Sequence, residues 1–513
     1  MNKNIQRTRN IIKFFIFVFA FVFFSSYLVS GEEITLRGNS AVIHFDNFIQ
    51  GTSEYRYYII VHNETNQSYE EIYRLNLGQG QDIEISGMDI QISGTLGNTA
   101  TGEQVIDVDS LEILGSVADS DDVDHSLGEQ RVAVLLMDNG NNHDDDDGNQ
   151  VSVTDVRNLF FNENYDADGD GLSDSAAAWV RKVSYGKAWL SGDVFGYYVS
   201  DDVCDYYFNS HLYSIADDDV NFLNYDRIIV FLPSSICNGP GGAGSVGKYY
   251  QNTPDGMHSY SSTLINGMDD YTFSVVVHEF GHNLGLSHAG MNTFEVYDEY
   301  GDHWDVMGGR VGDVNQYLRH FHHYSGLHKE EIKWLEPNNV KEAIYGTYTI
   351  KALELTGSGY KTLKIPAGDV NYYVEYRRSL DYDTIESNEE EDYFDGVFIR
   401  TDETRYNDEN HITSDSMLID TTPYSSTLDS ALKVGLVFHD YDNEVIIKTI
   451  SISETSAKVE VSVDCDTHCA SITEPSGIPP AIIYSSGQIA CNNQKMACDK
   501  VQSNCMNTGL END

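Results

Sequence analysis

The stretch His278-Glu279-Phe280-Gly281-His282-Asn283-Leu284-Gly285-Leu286-Ser287-His288 spells H-E-x-x-H-x-x-G-x-x-H and constrains this chain more than any other. On a helix, His278 and His282 stand one turn apart on the same face and offer two imidazole nitrogens to one ion. Gly285 tolerates positive φ, so the helix can end there and the chain can reverse, bringing His288 round as a third candidate ligand. Three protein ligands with one open position is the arrangement of a catalytic zinc, not a structural one. Glu279 is the candidate catalytic base beside that position. Phe273, Val276, Val277, Phe280 and Leu284 recur at helical spacing and give the helix one buried stripe. Asp270 and Thr272 are candidate caps. A buried helix whose histidines only satisfy core hydrogen bonds would account for one histidine. It does not account for three in register with a glutamate and a glycine.

Downstream lies Glu299-Tyr300-Gly301-Asp302-His303-Trp304-Asp305-Val306-Met307-Gly308-Gly309. Met307 with Gly308 after it resembles the methionine turn beneath the three-histidine sites of the metzincin clan. Together the two stretches resemble the gametolysin family of secreted metallopeptidases. Tyr324-Ser325-Gly326-Leu327-His328-Lys329 and Trp334-Leu335 resemble that family's closing segment. The likeness runs from Arg131 to Leu335, more loosely into the following β region. Some gametolysins carry Gln at the first ligand position, where this chain has His278. Gly309 stands two places after Met307, so no tyrosine is available there as an extra ligand. The resemblance implies an α+β fold, a metzincin (zincin-like) catalytic domain flanked by all-β domains. It implies zinc on His278, His282 and His288, Glu279 as base and Met307 as packing support. It also implies that the segment ahead of the active-site helix lines the cleft and pairs with extended substrate.

Lys plus Arg total 31 against 81 Asp plus Glu, a formal charge of -50. Such a surface repels nucleic acid and anionic membranes, so neither is an expected partner. Lys3, Arg7, Arg9 and Lys13 precede an apolar run from Phe14 to Phe24, and small residues follow near Ser30 and Gly31. This reads as a secretory signal peptide over residues 1–31, with an uncleaved anchor at the cell surface as the alternative. After cleavage no stable membrane insertion is expected. Seven cysteines suit an oxidising compartment. Cys204 and Cys237 stand alone in the central region and are a candidate disulfide, while Cys465, Cys469, Cys491, Cys498 and Cys505 cluster at the end. Asn63 and Asn66 open candidate N-glycosylation sequons.

Taken in order, residues 32–125 read as a β-rich domain or propeptide in a small barrel or sandwich, OB-like in one form. The region holds no cysteine, which excludes latency through a thiolate on the zinc; an inhibitory carboxylate or steric cover is left. Asp119 to Asp124 form an acidic linker. The metallopeptidase domain then spans 131–339, with Arg131–Met137 a buried strand, Val153–Phe161 a helix, and Gly192–Val199 and Arg227–Leu232 further strands. Asp166, Asp168, Asp170 and Asp174 alternate around glycines and are candidate calcium ligands, although Ala177 stands where the usual bidentate glutamate would be. His320, His322 and His323 lack the carboxylate spacing of a second metal site. Residues 340–464 read as a β-sandwich and 465–513 as a cysteine-containing tail.

These readings point to a secreted zinc metalloendopeptidase acting on extracellular, cell-wall or matrix proteins and glycoproteins, with Zn2+ and a candidate role for Ca2+. The rivals are a calcium-dependent adhesion protein with an inactive peptidase core and a zinc hydrolase of non-peptide amides.

Overall fold

A computed structural model describes residues 32–491 except 49, 63–69, 79–84, 100–101, 117–124, 141–142, 146–147, 168, 170, 201–202, 206–209, 238–240, 269–271, 294–295, 310–321, 384–392, 407–411, 423–426, 464–481 and 484–487. The chain opens with five strands: β1 (Glu32–Asn47), β2 (Thr52–His62), β3 (Glu70–Asn76), β4 (Met88–Asn98) and β5 (Gln104–Ser116). They close on themselves in the order β1, β2, β3, β5, β4 and back to β1, with β3 and β5 parallel. Alternate residues such as Tyr57, Ile59, Ile90, Ile92 and Ile106 point inward and form the core of this ring.

The central stretch supplies β6 (Gly128–Asp138), α1 (Val153–Phe161), α2 (Ala176–Val183), β7 (Ala188–Val199), α3 (Ser210–Ala216) and β8 (Arg227–Leu232). It continues with β9 (Gly242–Ser245), β10 (Tyr249–Thr253), β11 (Gly256–Asn266), α4 (Thr272–Asn283), β12 (His288–Thr293), β13 (Val296–Asp298) and α5 (Gly326–Glu331). Every residue of β8 is buried, as its unbroken apolar run requires of a strand covered on both faces. It lies between β11 and β6, parallel to both. Ser152 caps α1, exchanging hydrogen bonds with Asp155 in a capping box.

The C-terminal part forms two sheets. One gathers β14 (Val340–Glu342), β16 (Thr362–Ala367), β17 (Val370–Glu375), β18 (Gly396–Thr401), β19 (Arg405–Tyr406), β20 (Ile412–Ile419) and β21 (Leu432–Lys433) with β12 and β13. The other holds β15 (Tyr345–Lys351), β22 (Val437–Asp440), β23 (Val445–Ile452), β24 (Ser456–Ser462), β25 (Ile482–Ile483) and β26 (Gln488–Cys491). Ile350, Leu363, Val374, Ile399, Phe438 and Ile447 share one core between these sheets.

This corrects the fold expected from the sequence. The molecule is mostly β, in three multi-stranded sheets, rather than an α+β metzincin domain with separate all-β satellites. Local patterns place strands but not their partners. β1 pairs antiparallel with β9, so the N-terminal ring joins the central sheet. β12 pairs parallel with β20, so the strand after the active-site helix joins a C-terminal sheet. Unpaired strand edges present open N–H and C=O groups, and both joins satisfy them.

Candidate metal centre

Helix α4 ends as its sequence requires. Gly285 has φ +99°; its N–H donates to the His282 carbonyl (2.8 Å) and the Leu286 N–H to the Gly281 carbonyl (3.1 Å), a Schellman turn. The reversal delivers His288 to the start of β12, where pairing with β20 holds it beside Ser414. The rings of His278, His282 and His288 form a nearly equilateral triangle, with centroids 5.0, 5.2 and 5.1 Å apart.

Each ring is oriented from its far side. Nδ1 of His278 faces the Val306 carbonyl at 2.8 Å, that of His282 the Leu286 carbonyl at 2.8 Å, and that of His288 the Glu299 carboxylate at 2.8 Å. All three partners are acceptors, so each Nδ1 carries a proton and each Nε2 faces the centre. His278 Nε2 and His288 Nε2 are 3.3 Å apart. Ligands about 2.0–2.1 Å from a tetrahedral ion stand roughly 3.3–3.4 Å from one another.

Met307 is fully buried against α4. A Cβ on Gly281 would come within 2.2 Å of its sulfur, so only glycine lets the helix sit this close to the turn. Asp305 shapes that turn by accepting from the Met307 N–H (2.9 Å) and, through its other oxygen, from the Ser325 N–H (2.7 Å). The same turn carries the Val306 carbonyl to His278. Arg400 of β18 anchors its start through Asp302 and also reaches Glu375 at 2.6 Å.

Glu279 is fully buried under β9. A Cβ on Gly242 would fall 2.1 Å from one Glu279 carboxylate oxygen and a Cβ on Gly244 2.9 Å from the other, so the glycine-rich run clears space for this carboxylate. The neighbouring Asn283 fastens helix to sheet. Its amide donates to the carbonyls of Ser245 and Ser262 (3.1 Å each) and its oxygen accepts from Ser261 (2.9 Å) and Thr263 (3.0 Å).

Two further ionisable groups meet at the centre, and both come from β1. Asp46 places one oxygen 2.9 Å from His288 Nε2 and 3.9 Å from His278 Nε2, and the other 3.3 Å from His282 Nε2. Tyr300 donates its hydroxyl to Asp46. His44 packs against His282 and His288 and sets its Nδ1 3.0 Å from Asp46. Burial alone would raise the Asp46 carboxyl, but His44 and His288 hold it well below the usual carboxylate range. Burial, then the Asp46 charge, pushes Glu279 well above its usual range. Burial drives His278 down to about 3, whereas Asp46 and Glu299 outweigh burial at His288 and lift it to about 9.

This donor set fits a divalent cation. Both Glu279 oxygens and the Nε2 atoms of His282 and His44 are buried without a hydrogen-bond partner, and buried polar atoms are otherwise nearly always paired. His44, Asp46, His282 and His288 bring one ligand atom each to within 4.8 Å of one another. His278 is not in that group of four, but its Nε2 lies 3.3 Å from that of His288 and 3.9 Å from Asp46. His44 already directs one ring nitrogen at Asp46, whereas the far nitrogens of the other three bond to fixed acceptors outside the cluster.

The sequence did not disclose His44, Asp46 or Tyr300 as members of this centre. His44 and Asp46 stand in an ordinary alternating strand, and Tyr300 appeared only as a letter of the downstream motif. Cys204 and Cys237 are joined in a disulfide, with Cα atoms 5.2 Å apart. Asp166 spends its carboxylate on the N–H groups of Gly169 (2.7 Å) and Gly171 (3.1 Å), and Asp174 on that of Ala167 (2.6 Å). Asp168, Asp170, Asn63, Asn66, His320, residues 1–31 and most of the 465–513 tail lie outside the described residues. His322 faces Asp383 at 3.1 Å, and His323 faces Lys329 at 2.8 Å, with both histidines away from the three-histidine centre. No helix among the described residues is long and apolar enough to cross a membrane.

Residues 219–454 match a family described as gametolysin peptidase M11. That span contains the three histidines, Glu279, Met307 and the strands that hold β12. It begins later than the sequence resemblance suggested, extends further into the C-terminal sheets, and leaves His44 and Asp46 outside. No curated protein matches this chain. Among solved structures it is similar to a small single-stranded DNA-binding protein from Streptomyces coelicolor, at 12% identity, covering 16% of this chain and 93% of that one, with a TM-score of 0.13.

Proposed function

We propose that the protein is a secreted zinc-dependent endopeptidase, since residues 219–454 match the gametolysin peptidase family, which implies a metallopeptidase. Its substrates are extracellular, cell-wall or matrix proteins and glycoproteins. The observation that carries this reading is the triangle of imidazoles, each fixed through its Nδ1, with a glutamate next to the first of them.

His278, His282 and His288 would hold the ion. When bound, zinc supplies Lewis-acid polarisation of a carbonyl and acidifies water at neutral pH. Glu279 accepts the proton of the attacking water and returns it to the departing amine nitrogen. With β1 in place, burial and then the Asp46 charge hold its carboxyl above the usual range. Met307 takes no part in proton transfer; it sets the height of the turn under α4. Secretion rests on the basic and apolar character of residues 1–31 and on the Cys204–Cys237 bond. Calcium at the Asp166–Asp174 loop belongs to the same proposal, as a stabiliser of a surface turn.

The test is Glu279→Gln. Compared with wild type, both in the activated form, the variant should keep stoichiometric zinc by metal analysis and lose at least a hundredfold in peptide-library cleavage. Wild-type turnover by this variant would refute the assignment of the base.

A further inference from the structure

A protein-cutting site must admit a polypeptide, and this one admits nothing. His278, Glu279, His282, His288 and Asp46 are each at most 2% exposed. What covers them is β1. Ile43, His44, Phe45 and Asp46 pair antiparallel with Ser245, Gly244, Ala243 and Gly242. The pairing is carried on at both ends, where the Gly241 N–H donates to the Asp46 carbonyl (2.9 Å) and the Val246 N–H to the Val42 carbonyl (2.9 Å). The other edge of β9 pairs with β11, so β1 takes the edge of β9 that an extended peptide would need to add a strand beside Glu279.

The side chains complete the cover. Asp46 is aimed at the centre of the histidine triangle, with its oxygens 2.9 and 3.3 Å from the nitrogens of His288 and His282. The second is the separation expected among ligands of one tetrahedral ion, and the first is that of a hydrogen bond. Phe48, two residues on, is buried with its ring 5.1 Å from that of His278 and edge-on to it. Ser53 at the start of β2 bonds to Glu299, the carboxylate that orients His288.

We propose that β1 holds this enzyme latent. The strand lies on β9 in the place of an extended substrate, and the Asp46 carboxylate takes the fourth ligand position that a scissile carbonyl or water would need. His44 and Tyr300 steady the carboxylate there. The source of the inhibitor is the chain itself, from a region outside the family match, and activation requires that β1 leave β9. The inference rests on the three-histidine site holding a metal; peptide cleavage is measured separately.

The experiment loads the full chain with Co2+ in place of zinc and titrates acetohydroxamic acid, following the visible absorption of the ion. Asp46→Ala should bind the hydroxamate at least tenfold more tightly than the wild type, and Asp46→Asn, which keeps the shape, should fall between them. Equal affinity in all three chains would overturn the proposal, as would full peptidase activity in the intact wild-type chain. Hydroxamate binding opened by Asp46→Ala supports the latency contact, and no cleavage of any peptide once β1 has been removed by proteolysis refutes the peptidase reading instead.

Discussion

Asn283 occupies a position that the zinc-binding pattern leaves free, yet it joins the active-site helix to two strands. Replacing it with alanine deprives the Ser245 and Ser262 carbonyls of their side-chain donor and the hydroxyls of Ser261 and Thr263 of their acceptor. A buried polar group left unsatisfied costs about 1–3 kcal/mol. The two hydroxyls can rotate toward other acceptors, so the two carbonyls dominate and the expected loss is about 2–6 kcal/mol. The helix C-terminus retains Arg227, whose guanidinium donates to the Asn283 carbonyl at 3.0 Å in wild type and variant alike. The measurement is urea unfolding of the zinc-loaded chain followed by circular dichroism, with zinc affinity measured in parallel by chelator competition. The midpoint should fall well below the wild-type value, and Asn283→Asp should be no better, since it keeps the acceptor but buries a charge and loses both donors. A loss under about 1 kcal/mol in Asn283→Ala would show that water or neighbouring groups replace these bonds, and the account of how α4 is fastened would fail.

Other outcomes follow from the same geometry. Gly242→Val should lower turnover of the activated enzyme at least tenfold with zinc content unchanged, because its Cβ enters the space of the Glu279 carboxylate; unchanged kcat would contradict that placement. Arg400→Met leaves Asp302 a buried carboxylate without its cation and should cost about 3–5 kcal/mol in denaturant unfolding, part of which Asp302→Leu in the same chain should restore. Asp305 and His328 form a buried pair 2.8 Å apart. Burial opposes both charges, but His328 and Arg400 hold Asp305 below its usual range, and Asp305 and Asp415 hold His328 well above its own. The depressed carboxylate contributes stability above its unfolded pKa, 3.8, that is lost as pH falls further. The raised imidazole contributes fully below 6.5 and loses its share only as pH climbs through its higher folded value. Unfolding midpoints should therefore drop below about pH 4, and Asp305→Asn should flatten that acid slope; an identical slope in the variant would remove the pair from the explanation.

Much of the site was legible because its chemistry is local. The spacing of His278 and His282, Glu279 between them, and Gly285 at the turn are consequences of helical period and backbone freedom, which short sequence windows contain. The same holds for β8, whose continuous apolar run marks a strand buried on both faces, and for α1, whose bounds followed from its periodicity. The class of fold was not legible. Separate β satellites around an α+β core were expected, because a strand's sequence tells which of its faces is buried but not which edge it joins. That choice rests on hydrogen bonds between residues far apart in the chain. Two such pairings decide this molecule: β12 with β20, which holds the third histidine, and β1 with β9, which lays Asp46 across the other three ligands. Nothing near Asp46 in the sequence foreshadows this, since the three histidines it faces stand more than two hundred residues away. The sequence alone offered three histidines and a glutamate at the spacing of one helix and its reversal. Tertiary structure alone decided that a carboxylate from the opposite end of the chain would stand in their way, because an aspartate acquires that role only from where folding leaves it.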